Sequence, residues 1–546
     1  MLKYSKVMKK LVRKKGLILA LIIIVGVGLF TIKSIFLGVW FSSHDGIFHV
    51  LRVDELFKML KLGFFPVRWG LDLDNGYGVP IFNFVYPGPY YLAAIFKFFG
   101  ISTFWALKLI MVGFYLIGGI FVFLIFRKRN WWLAILAALI YFWVPYQFLD
   151  FFVRGALGEV LAIGLIPVVY WSFLHLEKNE LKWWHPLPLF LLLICHNFVS
   201  LIFLAFLVVN RLFLGKLSKK HWVSILLSLG LASFFLIPMI AESKLLSSGR
   251  NGGYTFKYDE HFVYPQQLLY GKWDYWYSVT GPGDGMSFQL GLVSILTVFL
   301  SIFVLIRKIK NKLEIGFLLL AFAFIAFLMT PYSQFIWKLV TPLQIMQFPW
   351  RLLFLTTFLT PLLFFEAINS LKNRKIKIIL TLLLTGLAFY NVRNYRRPLK
   401  SLNVEEATKL YGLHALGTTT TLRSEVAPYW SVDTPYKGAD VEGASGEPKF
   451  ESTRKEKQLW FSIDGGKYAE IRVNYNYFPS WELKLEGSKQ FVPIYPGAKG
   501  EIRFKPVEGV KTYVLRLNST PIESLSNLIT LAFVLFLIWL GLRSKL

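Results

Sequence analysis

The sequence predicts a polytopic α-helical membrane protein of about twelve spans, carrying a mostly-β domain outside the membrane. Three observations predict it. Of 546 residues, 55% are apolar and only 17% are charged, against about 25% charged in soluble domains, and the mean hydropathy is +0.52. Apolar runs of span length recur along the chain. The basic residues between them fall in short loops that share one side of the membrane.

The runs cover 16–37, 102–126, 131–149, 156–176, 222–241, 286–306, 313–329, 350–370, 375–392 and 525–542. The stretch 185–214 is too long for one span and is broken by Cys195-His196-Asn197, so it reads as two helices meeting there. The first run follows Lys9, Lys10, Arg13, Lys14 and Lys15 and looks like a signal peptide. It exceeds the roughly 7–15 apolar residues of a signal core and lacks a small-residue cleavage site, so it reads as an uncleaved span. With a cytoplasmic N-terminus, Arg127–Arg129, Lys216–Lys220, Arg307–Lys312, Lys372–Lys377 and Arg543–Lys545 all fall inside, and the C-terminus with them. Counting the apolar stretch 81–99 as a span would reverse every later loop. Pro87, Gly88 and Pro89 interrupt it, and it reads as an interfacial or re-entrant segment on the outer side.

That alternation leaves three long segments outside, 38–101, 242–285 and 393–524. The predicted organisation is a membrane bundle over 1–392, an extracytoplasmic domain over 393–524, and a last helix with its tail over 525–546. In the domain, Glu470–Tyr475, Trp481–Leu485 and Tyr513–Leu517 alternate apolar and polar residues, and Asp464-Gly465-Gly466 and Glu486-Gly487-Ser488 offer turns. This pattern predicts a small β-sandwich.

The net charge of +28 suggests a polyanion partner only until its distribution is examined. Residues 400–524 hold 17 basic and 16 acidic side chains, so the excess lies among the apolar segments. Membrane topology explains it, and no nucleic-acid partner is expected. The single cysteine, Cys195, excludes a disulfide within the chain.

Ionisable residues gather at the predicted outer ends of spans, where they are costly and tend to be functional. Ser42-Ser43-His44-Asp45-Gly46-Ile47-Phe48-His49 follows the first span, and Arg68, Asp72 and Asp74 come later in the same loop. Asp150, Arg154 and Glu159 cluster around the start of a later span, His196-Asn197 marks the break in 185–214, and Gln347-Phe348-Pro349-Trp350-Arg351 opens another. Carboxylates there can serve as general bases or metal ligands, and arginines can grip phosphate. Blander readings stand beside these. Asp45 can cap the following helix, Arg154 can pair with Glu159, and His196-Asn197 can satisfy backbone groups at a helix break.

Several of these motifs resemble a known family. They are His44-Asp45-Gly46-Ile47-Phe48-His49, Phe65-Pro66-Val67-Arg68-Trp69, Gly76-Tyr77-Gly78-Val79-Pro80, Phe82–Tyr91, Val153–Glu159, His196-Asn197, Gln347–Arg351 and Tyr477–Trp481. Together they resemble the bacterial and archaeal membrane family labelled 6-pyruvoyl-tetrahydropterin synthase-related, whose label is not a function. The architecture resembles the GT-C glycosyltransferases, with many spans, an acidic residue in the first outside loop and a C-terminal outer domain. That resemblance implies sugar transfer from a polyprenyl-phosphate donor to a glycan, lipid or protein acceptor on the outer side. It makes Asp45 the general base or metal-organising carboxylate with His44 beside it, and Asp150 or Glu159 a second acidic group. His49, Arg68, Arg154, His196, Asn197, Gln347 and Arg351 are the candidate substrate contacts. A divalent cation, Mg²⁺ or Mn²⁺, at Asp45 is the one cofactor expected. This chain departs from the family pattern in carrying His44-Asp45 where many members carry paired acids. A lipid or glycan transporter and a non-catalytic envelope scaffold are the alternatives. The first predicts inverted repeats and polar residues at mid-membrane, neither of which is evident in the sequence.

Overall fold

The computed structural model describes residues 2–247, 256–307, 311–415, 426–432 and 437–543, with side chains from Lys15 onward and to Leu413 in the helix Val404–Ala415. Lys308, Lys310 and Lys545 of the predicted inner loops, residues 248–255 of the predicted second outer loop, and residues 416–425 and 433–436 of the predicted outer domain lie outside the described residues.

Each apolar run holds a helix, although 286–306 is helical only over Leu292–Leu305. Thr103–Phe126, Leu157–Leu176, Pro349–Ser370 and Pro521–Arg543 are each long and apolar enough to cross a membrane, and seven spans result if each of three bent pairs is one. The pairs are Trp131–Phe142 with Pro145–Arg154 (48°), Lys219–Leu231 with Ser233–Ala241 (71°) and Lys312–Leu328 with Pro331–Leu339 (94°). The 185–214 stretch is two helices, Leu187–Cys195 and Asn197–Phe213. Its break is local chemistry, because His196 is extended (φ −163°, ψ 116°) and its side chain accepts the Val199 N–H at 3.3 Å as an N-cap. Asn130 and Asn373 cap Trp131–Phe142 and Arg374–Asn391 in the same way. The stretch 81–99 holds two short helices, Ile81–Phe84 and Gly88–Phe98, separated at Pro87. The apolar helices mark a membrane-associated chain.

The chain divides into two compact units, each assembled from separated segments. The first contains Met1–Gly46, Leu107–Ile225 and Phe256–Val404. At the helix ends carrying the basic loops, the buried Glu366 pairs with Arg129, and the buried Arg211 pairs with the partly exposed Glu177. Two short strands, Trp40–Phe41 and Ser401–Leu402, pair antiparallel in this unit, and flanking bonds run from Ser42 N–H to Lys400 O (2.9 Å) and from Val39 N–H to Leu402 O (2.8 Å).

The second unit contains Ile47–Ala106, Leu226–Thr255 and Glu405–Leu546. Its β region is two five-stranded antiparallel sheets. The strands predicted by alternation occur as Ile471–Asn476, Trp481–Leu485 and Val510–Leu517. Phe504 of one sheet meets Phe461 and Tyr513 of the other with ring centroids 6.0 and 5.0 Å apart, so the apolar faces close on each other. The Asp74–Gly78 turn docks on this region. Asn476 donates its N–H to Tyr77 O and its amide to Asp74 Oδ2 and Gly78 O, each at 2.8 Å. The acidic and glycine-rich character of that loop is thus explained by a turn that builds the unit.

The terminal helix Pro521–Arg543 begins with a capping box legible as Thr-Pro-Ile-Glu. Thr520 Oγ1 accepts the Glu523 N–H (3.1 Å) and the Glu523 carboxylate accepts the Thr520 N–H (2.9 Å). The same carboxylate accepts from Asn83 (2.5 Å) and faces the Arg68 guanidinium (3.7 Å). Arg68 also donates to Asn83 Oδ1 (2.5 Å), Asn527 Oδ1 (2.8 Å) and Phe234 O (3.1 Å), while Glu242 accepts from Thr520 (2.5 Å). Both terminal nitrogens of Arg68, expected to hold phosphate, are therefore engaged within the protein, because burial of Glu523 and Asn83 demands partners. Arg68 ties three chain segments of this unit together.

Candidate functional site

In the first unit, the predicted outer-end residues converge on Arg154. The helix Pro145–Phe148 runs into a π-helical turn, Leu149–Arg154, which Gly155 ends in the left-handed conformation (φ 63°). The turn aims Asp150 and Arg154 at each other, and Leu157–Leu176 brings Glu159 from its first turn. Arg154 donates to Asp150, to Glu159 Oε2 (2.7 Å) and, more weakly, to the Tyr146 hydroxyl (3.4 Å). Tyr146 in turn donates to Glu159 Oε1 (2.5 Å), and the Arg154 guanidinium lies 4.8 Å over the Trp350 ring. Asp150 and Glu159 are fully buried, and Asp150 Oδ2 has no hydrogen-bond partner among the described residues.

The His44-Asp45 loop rests on this cluster by its backbone. His44 N–H donates to Val153 O (3.1 Å) and Asp45 N–H to Arg154 O (2.8 Å). The turn can approach so closely because Gly46 and Gly155 lack side chains. A Cβ on either would overlap Ser43 Oγ. Asp45 is half-buried, whereas Asp150 and Glu159 are fully buried. The His44 ring stacks on Tyr277 (4.4 Å) and its Nε2 meets Tyr275 O at 3.1 Å. A carbonyl only accepts, so Nε2 carries the proton and Nδ1 is left as the acceptor. Burial holds this imidazole below its ordinary pKa, opposed by the Tyr275 carbonyl.

Gly155→Ala is expected to lose about 2 kcal/mol of stability, from the left-handed conformation and the collision with Ser43. Gly100→Ala, at φ +81° with open space around it, is the control and is expected to lose only about 1 kcal/mol. Thermal unfolding of both variants checks the difference, and equal losses would remove the steric contribution.

The other predicted residues are placed as follows. Arg351 stacks on Phe348 (5.0 Å) and donates to Met346 O (3.2 Å), and its charge is within electrostatic reach of Asp150 and Glu159. Gln347 is buried with φ 63° just before it. His196 is buried as the helix cap and lies within electrostatic reach of Glu159 and Arg154. Asn197 opens the following helix, and its carbonyl accepts from Ser200 (2.8 Å). His49 and Arg68 belong to the second unit. There His49 Nδ1 is hydrogen-bonded to the Tyr90 hydroxyl (3.0 Å), which accepts from Arg52 (3.1 Å).

Asp150 and Glu159 are both buried and share the Arg154 guanidinium. Among the described residues, no three His, Cys, Asp or Glu side chains gather as a metal-binding group. Tyr146, Trp350, Tyr275 and Gly155 belong to the site but were not singled out in the sequence. Trp350 and Gly155 do lie inside quoted motifs, whereas Tyr146 is hidden in an apolar run.

Fold and site together define an apolar helical protein with a C-terminal β region and a half-buried aspartate beside a buried ion cluster. Compared with known proteins, the chain matches no family model and no curated sequence.

Proposed function

We propose that the chain is a membrane glycosyltransferase of the GT-C type, moving a sugar from a polyprenyl-phosphate donor to a cell-envelope acceptor outside the membrane. In this reading the bundle has twelve spans, both termini are cytoplasmic and 393–524 is extracytoplasmic. The observation that carries the reading is Asp45, a half-buried residue whose backbone N–H is tied to Arg154 O beside the cluster. Asp45 takes the proton of the acceptor hydroxyl as that oxygen attacks the anomeric carbon. The bond from that carbon to the phosphate oxygen breaks, and polyprenyl phosphate leaves with the electron pair. His44, fixed by Tyr275, orients the acceptor through Nδ1.

The test is turnover of labelled polyprenyl-phosphate sugars by the purified full chain in lipid nanodiscs, with envelope extract as acceptor, and with or without Mg²⁺ or Mn²⁺. Wild type is expected to release polyprenyl phosphate, and Asp45→Asn to lose at least about a hundredfold in rate with its melting temperature unchanged. Undiminished turnover in Asp45→Asn would overturn the assignment. Absence of release with every donor would turn the reading to transport or scaffolding.

A further inference from the structure

The arginines that the sequence offers as phosphate contacts are largely committed. Arg68 is bonded to Glu523, Asn83 and Asn527, and Arg154 to Asp150 and Glu159. Other basic side chains of the first unit line an open cleft of about 870 Å³ between 270–275 and 390–399. They are Lys272, Arg393 and Arg397, and no carboxylate lines it among the described residues. Lys272 meets Asp274 at 3.7 Å in an exposed pair. Arg393 lies 3.7 Å over the Tyr390 ring and spends one N–H on Tyr390 O (2.8 Å), leaving most of its five donors unused. Arg397 forms no ion pair among the described residues.

The cleft walls are tied to each other. Trp273 stacks on Tyr395 (4.1 Å, 11°), and Gln289 donates to the Tyr395 hydroxyl (3.0 Å). An aromatic belt at a membrane surface needs no such recess. A negatively charged ligand suits its cationic lining. The cleft is also joined to the Asp45 loop. Tyr275 gives its hydroxyl to Arg397 O (2.8 Å) and takes the His44 Nε2–H on its own carbonyl, and Lys400 O accepts the Ser42 N–H.

We propose that this cleft binds a phosphate-bearing ligand, with Arg393 and Arg397 gripping the phosphate. The inference deepens the transferase reading by placing the donor's phosphate, but its test needs no turnover. The full chain in neutral-lipid nanodiscs is titrated with a short-chain polyprenyl phosphate, the matching polyprenol and inorganic phosphate. Polyprenyl phosphate is expected to bind and to be displaced by inorganic phosphate at higher concentration. The double variant R393Q/R397Q is expected to weaken its binding by roughly a hundredfold, and R393K/R397K to restore part of it. Preferred binding of the lipid form over inorganic phosphate assigns the source as a lipid phosphate, and equal affinity assigns it as free phosphate. Equal affinity for polyprenol, or unchanged binding in R393Q/R397Q, would overturn the proposal. Loss of binding in that variant, with no sugar transferred by wild type, would keep the cleft and overturn the transferase. Transfer by wild type with undiminished binding in R393Q/R397Q would do the reverse.

Discussion

Replacing Arg154 by methionine is expected to destabilise the protein by about 3–5 kcal/mol, the range for breaking a buried ion cluster from one side. Arg154 is the shared partner of Asp150 and Glu159, both fully buried. Without it, two carboxylates remain in an apolar setting with only the Tyr146 hydroxyl bonded to one of them. Lysine should rescue only part of the loss. It keeps the charge but gives up the planar fork and the stacking on Trp350. Neutralising the whole cluster, as Arg154→Met with Asp150→Asn and Glu159→Gln, should recover most of the stability, because no uncompensated charge remains. Thermal unfolding in detergent distinguishes these variants. If Arg154→Met melted with wild type, the cluster would not hold the helices together.

The sequence makes the elements legible and hides how they bend and which distant charges meet. Hydropathy locates each helical run because span-length apolar stretches have few alternatives. It cannot tell that 131–149 continues as a second helix inclined at 48°, although Pro145 marks the place. The His196 break and the strands Ile471–Asn476 and Trp481–Leu485 are visible because capping and alternation are local patterns. At the site, the short spacing between Arg154 and Glu159 permits the pairing that the structure has. The bond from Arg68 to Asn527 and its ion pair with Glu523 link segments hundreds of residues apart, and neither end carries a local trace of the other. An arginine at a span end looks the same in sequence whether it faces a phosphate or a buried glutamate. The cationic cleft leaves no local mark either, since Lys272 comes from a different segment of the chain than Arg393 and Arg397.

Arg68 offers the second large effect, and one that depends on pH. Arg68 faces Glu523 directly, and Asn83 links that carboxylate to Glu242, which it meets at 3.5 Å. Burial pushes Glu242 up from 4.5 to about 7. The folded protein therefore holds that proton more tightly than the unfolded chain does. Stability from this group is greatest at low pH, falls between about 4.5 and 7, and levels above 7. Arg68 is one of the charges favouring ionised Glu242, so its removal should hurt most where Glu242 is ionised. Arg68→Met is expected to lose about 3–5 kcal/mol at pH 8, as for a one-sided break of a buried pair, and roughly half of that at pH 5. Adding Glu242→Gln to Arg68→Met should flatten the difference between the two pH values, because the group that titrates is gone. The measurement is the melting temperature of all three proteins at pH 5 and pH 8 in the same detergent. A loss in Arg68→Met that is equal at both values would separate Glu242 from the network and leave Arg68 acting through Glu523 alone.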